Sequence, residues 1–252
     1  MVIDSHIHVL SGIVDVNERI NEINSNSEIK SVINVGMDVF TSRESVLISK
    51  QHSKFYSSVG IHPLYVPELL VKNDDVINDI DRDVKSLYEL ALNDKVVATG
   101  EIGLDTKHSN SVIQELYFIR QIRLVNELEL PVIIHSSNSN SRIVEIFETI
   151  VRPLYGCVFH CFQPDVDTLN YLVSKGYYIS FAGRITYPNA KKSIEIAKIV
   201  PNNLFLVETD SPYILPDIEQ VVSKLADVKG VENKDIENMT VENTLRLFKR
   251  MR

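Results

Sequence analysis

Residues 2–10 read V-I-D-S-H-I-H-V-L, a short apolar run that carries two histidines near its end. If this run is a strand, the alternation of side chains places His6 and His8 on the same face. Seven further apolar runs, rich in Val and Ile, recur along the chain with longer segments between them. The eight predicted strands are Val2–Val9, Ser31–Met37, Phe55–Ile61, Val96–Leu104, Pro131–His135, Gly156–Phe162, Tyr177–Phe181 and Leu204–Glu208.

The segments between these strands, such as Val112–Leu130, have apolar side chains at the spacing of an amphipathic helix. Apolar strands that alternate with helices indicate a parallel sheet covered on both faces. We therefore predict an α/β fold, a (β/α)₈ or TIM barrel, formed by residues 1–252 as a single domain. The alternative is an open doubly wound sheet, but its G-x-G-x-x-G fingerprint does not follow the first strand. Two patches rich in Asn and Ser, Asn21–Ser27 and Ser136–Ser141, are predicted to be loops.

The composition limits the classes of function. Hydrophobic residues make up 44% and charged residues 24% of the chain, and the formal net charge is −8. This balance is typical of a globular protein and argues against a broad basic surface that coats nucleic acid. An enzyme that holds a strand end locally remains compatible with it, because a bound divalent metal reverses the charge at its site.

The cysteines and the apolar runs bear on the cellular compartment of the protein. Cys157 and Cys161 lie too far apart along a strand for easy bridging, so we expect reduced thiols. The first ten residues are too short and too polar for a secretory signal, and no apolar run approaches the roughly 20 residues of a membrane span. We therefore expect a soluble, cytoplasmic protein.

The ionisable residues cluster at the ends of the predicted strands. In a (β/α)₈ barrel these ends meet at one face, where active sites are built. Taken singly, each residue has a structural alternative: Glu101 can form a salt bridge at the rim, and Asp210 can cap a helix. Together they predict a centre for two divalent ions (Zn²⁺, Mn²⁺ or Mg²⁺) that share a carboxylate, because such groups are costly to bury unpaired. The six predicted ligands are His6, His8, Glu101, His135, His160 and Asp210.

Eight short motifs carry a resemblance to a known family. They are D-S-H-I-H (Asp4–His8), V-G-I-H-P (Val59–Pro63), G-E-I-G-L-D (Gly100–Asp105), I-I-H-S (Ile133–Ser136), F-H-C-F (Phe159–Phe162), I-S-F-A-G (Ile179–Gly183), E-T-D-S-P-Y (Glu208–Tyr213) and E-N-T-L-R-L-F (Glu242–Phe248). In combination they resemble the TatD family of metal-dependent deoxyribonucleases, within the amidohydrolase-like barrels. The resemblance covers nearly the whole chain.

The resemblance implies a division of the ligands between two metals. His6, His8, Glu101 and Asp210 are expected to hold one ion, and Glu101, His135 and His160 the other. His62 is expected to line the substrate pocket close to both. Asp4 and Asp105 are expected either to orient the ligating histidines or to act as turn residues.

The activity implied is hydrolysis of DNA phosphodiester bonds by a metal-activated water, from single-stranded DNA or from 3′ ends. Asp210 is the expected proton acceptor, and Glu101 shares the catalytic role as the carboxylate between the metals. Neither a membrane nor an obligate protein partner is implied.

Two loops depart from the family pattern. The arginine that usually follows the position of His135 by two residues is missing, because the chain reads Ser136-Ser137-Asn138. After Phe162 the usual Ser-Gly is replaced by Gln-Pro. Three cations are candidates to supply the lost charge, and Arg184 is the one that we assign to substrate binding. The other two are Lys107 and Arg142.

Two other functions remain open at this point. The first is a hydrolase of small-molecule esters, lactones or amides; phosphotriesterase-like relatives carry a carboxylated lysine where this chain has Glu101, which favours the nuclease. The second is a metal-binding protein without catalysis, which the complete ligand set disfavours. Tyr65, Tyr187 and Tyr213 lie on predicted rim loops, either to stack on bases or to pack.

Overall fold

The computed structural model describes residues 1–66, 76–107, 111–215 and 217–252. Eight parallel strands lie side by side in their order along the chain, which confirms the predicted (β/α)₈ barrel. The strands are β1 (Val2–Ile7), β2 (Ile29–Val35), β3 (Phe55–Val59), β4 (Val96–Asp105), β5 (Val132–Ser137), β6 (Cys157–Phe159), β7 (Tyr178–Phe181) and β8 (Phe205–Val207).

Helices follow the strands and cover the outside of the sheet. They are α1 (Val16–Ser25), α2 (Val39–Gln51), α3 (Val76–Ala91), α4 (Ser111–Glu127), α5 (Asn140–Thr149), α6 (Val166–Ser174), α7 (Lys191–Ile199), α8 (Ile218–Lys229) and α9 (Asn233–Leu247). Burial of apolar side chains between the strands and these helices is the main stabilising contribution. In the described part of the chain, no helix is long and apolar enough to cross a membrane.

The prediction of a loop at Asn21–Ser27 was wrong for most of that segment, because α1 continues to Ser25. Asp15 caps the helix by accepting a hydrogen bond from Glu18 N–H, and Ile20 and Ile23 are buried. These two apolar residues at helical spacing outweigh the weak helix propensity of Asn and Ser. The patch at Ser136–Ser141 is likewise divided between the end of β5 and the start of α5.

Several strands are shorter than their apolar runs. The run Gly156–Phe162 contains only the three residues of β6, and the chain then turns at Cys161, whose φ is 41°. Beyond this turn Phe162 stays buried, and its N–H still donates to the Ser180 carbonyl of β7 at 3.1 Å, but the residues no longer continue the extended strand. Apolar sequence therefore marks burial here, and the strand itself ends at Phe159. Both Cys157 and Cys161 are free thiols, as expected.

The barrel closes between its first and last strands at the C-terminal rim. Ile7 and Ser211 form a parallel bridge, and His8 N–H donates to the Ser211 carbonyl at 2.8 Å. Asp210 N–H in turn donates to the His6 carbonyl at 3.0 Å. The closure therefore brings the histidines of β1 beside the carboxylate that follows β8.

Candidate metal centre

Two histidines and two carboxylates meet where β1, β4 and β8 converge. His6 and His8 are buried, and their Nε2 atoms lie 3.1 Å apart. Glu101 Oε2 lies 3.3 Å from His6 Nε2 and 4.0 Å from His8 Nε2. Asp210 Oδ1 lies 3.9 Å and 3.6 Å from the same two nitrogens. Two ring nitrogens therefore have a carboxylate oxygen of both Glu101 and Asp210 within 4.0 Å.

The other oxygen of Glu101 faces a second group of histidines. Glu101 Oε1 lies 2.6 Å from His135 Nδ1, 3.2 Å from His160 Nε2 and 3.5 Å from His62 Nε2. These imidazoles come from the ends of β5, β6 and β3. Glu101 therefore stands between two nitrogen clusters, with one oxygen directed to each.

Asp105 lies at the C-terminal end of β4 and holds His135. Its Oδ2 is 3.2 Å from His135 Nε2, and its Oδ1 accepts from Lys107 N–H at 2.9 Å. Burial raises the pKa of Asp105, but the hydrogen bonds from His135 and Lys107 outweigh it and bring that pKa to about 2. Asp105 therefore carries its charge at neutral pH and holds the imidazole of His135 in place.

Asp4 stabilises the loop that carries Asp210. Its carboxylate accepts from Thr209 N–H at 3.0 Å and from Thr209 Oγ1–H at 2.7 Å. It also accepts from the backbone N–H of His6 at 3.3 Å. Asp4 thus joins β1 to the segment after β8 through backbone and hydroxyl groups, and its contacts with His6 are to the main chain.

Glu208 is a member of the site that sequence reasoning did not single out. Its Oε1 lies 3.0 Å from His160 Nδ1 and accepts from Cys161 N–H at 2.6 Å. The residue is 1% exposed, directly after β8. The available signal was a carboxylate at the end of an apolar strand, the same signal that marked Glu101. Glu208 holds the ring of His160 so that its Nε2 is directed to Glu101.

The electrostatics of the cluster favour a bound cation. Burial raises the pKa of Glu101, but His160, His62 and His135 outweigh it and leave that pKa well below the usual value. Burial lowers the pKa of His160, but Glu101, Glu208 and Asp210 raise it well above the usual value. The carboxylates thus stabilise positive charge on the facing imidazoles, and a divalent ion is the cation that nitrogen and oxygen donors in this arrangement bind best.

Within the described ranges, most of the predicted ligands also meet a simple geometric test for metal binding, but Asp210 belongs to none of the groups that pass it, and His135 and His160 fall in different groups. Among the residues that the structure describes, three combinations each place one donor atom per residue within 4.8 Å of one another. They are His6 with His8 and Glu101, His62 with Glu101 and His135, and His6 with His160 and Glu208. Mixed imidazole and carboxylate donors suit Zn²⁺ or Mn²⁺. The residues present therefore fit a divalent transition ion.

His62 lies beside this centre at the start of a short 3-10 turn, Pro63–Tyr65. Its Nδ1 accepts from Leu64 N–H at 3.1 Å, which leaves Nε2 directed to His135 at 3.1 Å. Burial lowers the pKa of His62, so the neutral ring is favoured. His62 lines the cavity above the centre together with His8, Glu101 and Asp210.

The structure distinguishes the three candidate cations by their ion pairs and by their positions. Arg142 lies on α5 and forms ion pairs with Glu115 and Glu145 at 2.7 Å each, away from the centre. Lys107 and Arg184 both line the cavity that contains His135. The charge of a missing arginine is therefore available from Lys107 and Arg184, and Arg142 is already paired.

Comparison with known proteins gives a consistent family. The family model described as TatD related DNase matches residues 3–249. A Bacillus subtilis protein, the uncharacterized metal-dependent hydrolase YabD, is 29% identical over 99% of both chains. The Escherichia coli uncharacterized metal-dependent hydrolase YcfH is 35% identical over 76% of this chain and 72% of its own length. Among solved structures, the TatD homologue YJJV from Escherichia coli has a TM-score of 0.83 with 24% identity and covers 98% of each chain, which supports the fold.

Proposed function

The chain belongs to the family of TatD-related DNases and is a metal-dependent hydrolase; from this premise we propose that it is a deoxyribonuclease that hydrolyses phosphodiester bonds at DNA ends. The observation that carries the proposal is the position of Glu101. Its Oε2 faces His6 at 3.3 Å, and its Oε1 faces His135 at 2.6 Å. A carboxylate between two nitrogen clusters suits a pair of divalent ions, Zn²⁺, Mn²⁺ or Mg²⁺, that share one bridging ligand.

The ligands divide into two sets in this proposal. A bound pair of ions supplies Lewis acidity, which acidifies water and offsets negative charge on the phosphoryl oxygens. Glu101 is common to both sets, and its low pKa keeps it ionised as a ligand. One set is His6, His8, Glu101 and Asp210; the other is Glu101, His135 and His160.

Asp210 is the proposed proton acceptor. Burial raises its pKa, but His160, His8 and His6 outweigh it and lower that pKa below the usual value, so the carboxylate is ionised at neutral pH. Its Oδ1 lies 3.6 Å from His8 Nε2, and the residue lines the cavity in which a substrate must lie. An ionised carboxylate beside the reacting centre accepts the proton of the attacking water.

Lys107 and Arg184 support an anionic substrate. Within the described ranges neither side chain forms an ion pair, and both line the cavity next to His135. Two cations without carboxylate partners favour a phosphate chain over a neutral ester or lactone. Arg184 and His62 are accordingly the proposed substrate-binding residues.

The test is cleavage of an end-labelled single-stranded oligonucleotide by metal-stripped protein resupplied with Mg²⁺, Mn²⁺ or Zn²⁺. We expect stepwise shortening from one end that requires added metal. The Asp210→Asn variant is the matched control, because it keeps the size of the side chain and removes its charge. We expect it to lose activity by about a hundredfold or more.

Three results would lead to different conclusions. Shortening from one end that is abolished in Asp210→Asn supports the nuclease. Cleavage of a para-nitrophenyl carboxylic ester, with no cleavage of DNA, would instead indicate the small-molecule hydrolase. Metal binding without turnover of either substrate would indicate a protein without catalysis.

A further inference from the structure

Two buried glutamines on α4 contact the backbone of segments that carry residues of the site. Gln114 and Gln121 lie two helical turns apart on this helix, roughly 10 Å along its axis. They are 3% and 1% exposed. A buried amide side chain needs partners for both its oxygen and its nitrogen, because an unpaired polar group is costly to bury. Both glutamines find these partners at the C-terminal rim of the barrel.

Gln121 holds the residue that precedes His62. Its Oε1 accepts from Ile61 N–H at 2.7 Å, and its Nε2 donates to the Ile61 carbonyl at 3.2 Å. Ile61 lies beyond the end of β3, which is at Val59. The amide of Gln121 therefore supplies the two hydrogen bonds that a residue of a neighbouring strand exchanges with its partner in a sheet.

Gln114 holds Asp105 in the same way. Its Oε1 accepts from Asp105 N–H at 2.9 Å, and its Nε2 donates to the Asp105 carbonyl at 3.3 Å. The last pair of β3 with β4 is Val59 with Thr99, so β4 has passed the end of this neighbour before it reaches Asp105. Gln114 thus fixes the backbone of the residue whose carboxylate contacts His135 Nε2 at 3.2 Å.

The two held segments meet at the opening of the barrel. His62 Nε2 lies 3.1 Å from His135 Nδ1. Glu101 Oε1 lies 3.5 Å from the first of these nitrogens and 2.6 Å from the second. Ile61 is bonded to His62, and Asp105 contacts His135. One helix is therefore connected, through two pairs of hydrogen bonds, to both histidines that face this oxygen.

A third buried amide makes the same paired contact beside His8. Asn34 Oδ1 accepts from Val9 N–H at 2.7 Å, and its Nδ2 donates to the Val9 carbonyl at 3.1 Å. Val9 follows His8 directly and lies beyond the end of β1, at Ile7. The contact thus recurs at three segments that carry or support histidines of the site. This repetition indicates a role in positioning as well as in packing.

We propose that Gln114 and Gln121 are positioning residues of the metal centre, and that through them α4 sets the distance between His62 and His135. Loss of either amide frees the backbone that it holds, so that one histidine moves relative to the other and to the carboxylate between them. The inference goes beyond the proposed function, because it requires only a metal-dependent hydrolase and applies whichever substrate the site takes.

The test replaces each glutamine with methionine, which keeps the length of the side chain and removes its hydrogen-bonding amide. The first measurement is hydrogen exchange of single backbone amides, followed by NMR. We expect Asp105 N–H in Gln114→Met and Ile61 N–H in Gln121→Met to exchange about tenfold faster, relative to the amides of β7, because each has lost its acceptor. Wild-type exchange of both amides would overturn the paired contacts.

The second measurement is Zn²⁺ affinity, by competition with a chromophoric chelator. We expect Gln114→Met to bind Zn²⁺ about 10- to 100-fold more weakly, as for other groups that orient a metal ligand. Gln114→Glu keeps an acceptor for Asp105 N–H and loses the donor, so its affinity is expected to lie between those of Gln114→Met and the wild type. Excess Zn²⁺ is expected to restore the activity that both variants lose, because the defect lies in occupancy of the site.

The third measurement is the NMR signature of the His62 ring. We expect its ring ¹⁵N resonances to shift in Gln121→Met, because Nε2 is no longer held 3.1 Å from His135. Zn²⁺ affinity is expected to stay at the wild-type value in this variant, since His62 is not among the six predicted ligands. Wild-type ring resonances in Gln121→Met would overturn the role of Gln121.

Asn243→Leu is the matched control for a loss of stability alone. Asn243 is 2% exposed, and its Nδ2 donates to the carbonyls of Asn202 and Phe205 at 2.9 Å each. These carbonyls lie at the N-terminal end of β8, on the barrel face away from the site. We expect this variant to be less stable to urea but to keep the wild-type Zn²⁺ affinity and His62 resonances. A loss of Zn²⁺ affinity equal to that of Gln114→Met would overturn the inference.

The outcomes also separate this inference from the proposed function. If the protein does not cleave DNA, the proposed function fails, and the changes in Zn²⁺ affinity and in the ring resonances are still expected. Wild-type Zn²⁺ affinity in Gln114→Met together with wild-type resonances in Gln121→Met would overturn the inference and leave the nuclease intact. Should Gln114→Met fail to fold, Gln114→Glu takes its place, and wild-type Zn²⁺ affinity in that variant would overturn the role of Gln114.

Discussion

At the residue scale, two histidines of the site, His8 and His160, are oriented by a second contact behind the ring, whereas the buried Nδ1 of His6 has no hydrogen-bond partner among the described residues. His160 Nδ1 contacts Glu208 at 3.0 Å, and His8 Nδ1 contacts the Val35 carbonyl at 3.0 Å. An imidazole that donates through Nδ1 keeps the lone pair of Nε2 for a metal. These contacts select the ring nitrogen that faces the centre, so they matter for metal affinity although they do not touch the metal.

The role of Glu208 is tested by Glu208→Gln. The amide oxygen can still accept from His160 or from Cys161, but the negative charge behind the imidazole is lost. We expect Zn²⁺ affinity to fall by about 10- to 100-fold, as for other groups that support a metal ligand. A competition titration with a chromophoric chelator measures the change. Glu242→Gln, at an exposed position on α9, is the control, and equal affinities in both variants would contradict the assignment.

The raised pKa values of His135 and His160 predict how metal binding depends on pH. Burial lowers the pKa of His135, but Asp105 and Glu101 outweigh it and raise it, so in the metal-free protein the ring stays protonated to higher pH than an ordinary histidine. A metal must displace these protons, and its affinity therefore falls as pH falls. We expect about a tenfold loss per pH unit for each proton displaced.

Calorimetry in buffers of different ionisation enthalpy measures the protons released when Zn²⁺ binds. We expect net release near neutral pH. Binding without proton release at pH values close to the ordinary pKa of histidine would contradict the charge assignment for His135 and His160.

At the element scale, β4 is the strand that positions the centre. It is buried along its whole length and supplies both Glu101 and Asp105. Its neighbour β5 approaches closely, with Gly103 paired in register with His135. A Cβ atom at Gly103 would lie 1.9 Å from the His135 carbonyl oxygen, and the φ of Gly103 is 154°. The missing side chain therefore allows β5 to bring His135 to Glu101.

The close approach is tested by Gly103→Ala. We expect it to lower the free energy of unfolding by about 2 kcal/mol or more. We also expect weaker metal binding, because His135 must move. Gly12→Ala is the matched control, since Gly12 also has a positive φ, of 82°, but open space around its Cβ position. We expect that variant to lose only about 1 kcal/mol. Urea unfolding measures both, and equal losses would indicate a backbone effect alone.

At the scale of the whole molecule, the candidate ligands come from around the barrel. His6 lies in β1, and Asp210 follows β8, so a metal between them spans the point where the barrel closes. At that point the strands share the Ile7–Ser211 bridge. A ligand that binds only the closed barrel stabilises it by mass action.

Metal removal is therefore expected to lower the thermal stability of the whole barrel. At a free Zn²⁺ concentration a hundredfold above Kd, the stabilisation is about 2.7 kcal/mol. Calorimetric melting of metal-stripped and reloaded protein measures the shift in Tm. In Asp210→Asn, which has lost one charged candidate ligand, the shift on reloading is expected to be smaller. A Tm that is independent of metal in the wild type would contradict a site that joins β1 to β8.

The sequence by itself determined the barrel and the place of the site. Eight apolar runs that alternate with helices dictate a parallel sheet, and parallel strands bring residues such as His6, Glu101 and His135 to one rim. Period-two alternation directs His6 and His8 to the same side. These conclusions follow from the local sequence pattern and from the few topologies that such a pattern allows, and they do not depend on interatomic distances.

Only the tertiary structure decided which partner each group has. The pairing of Glu208 with His160 joins residues 48 positions apart, and that of Asp4 with Thr209 joins residues 205 positions apart. The assignment of Arg184 to the opening likewise required the packing of the loops after the strands. Such contacts depend on barrel closure and on ångström-scale distances between segments remote in sequence, which local periodicity does not encode.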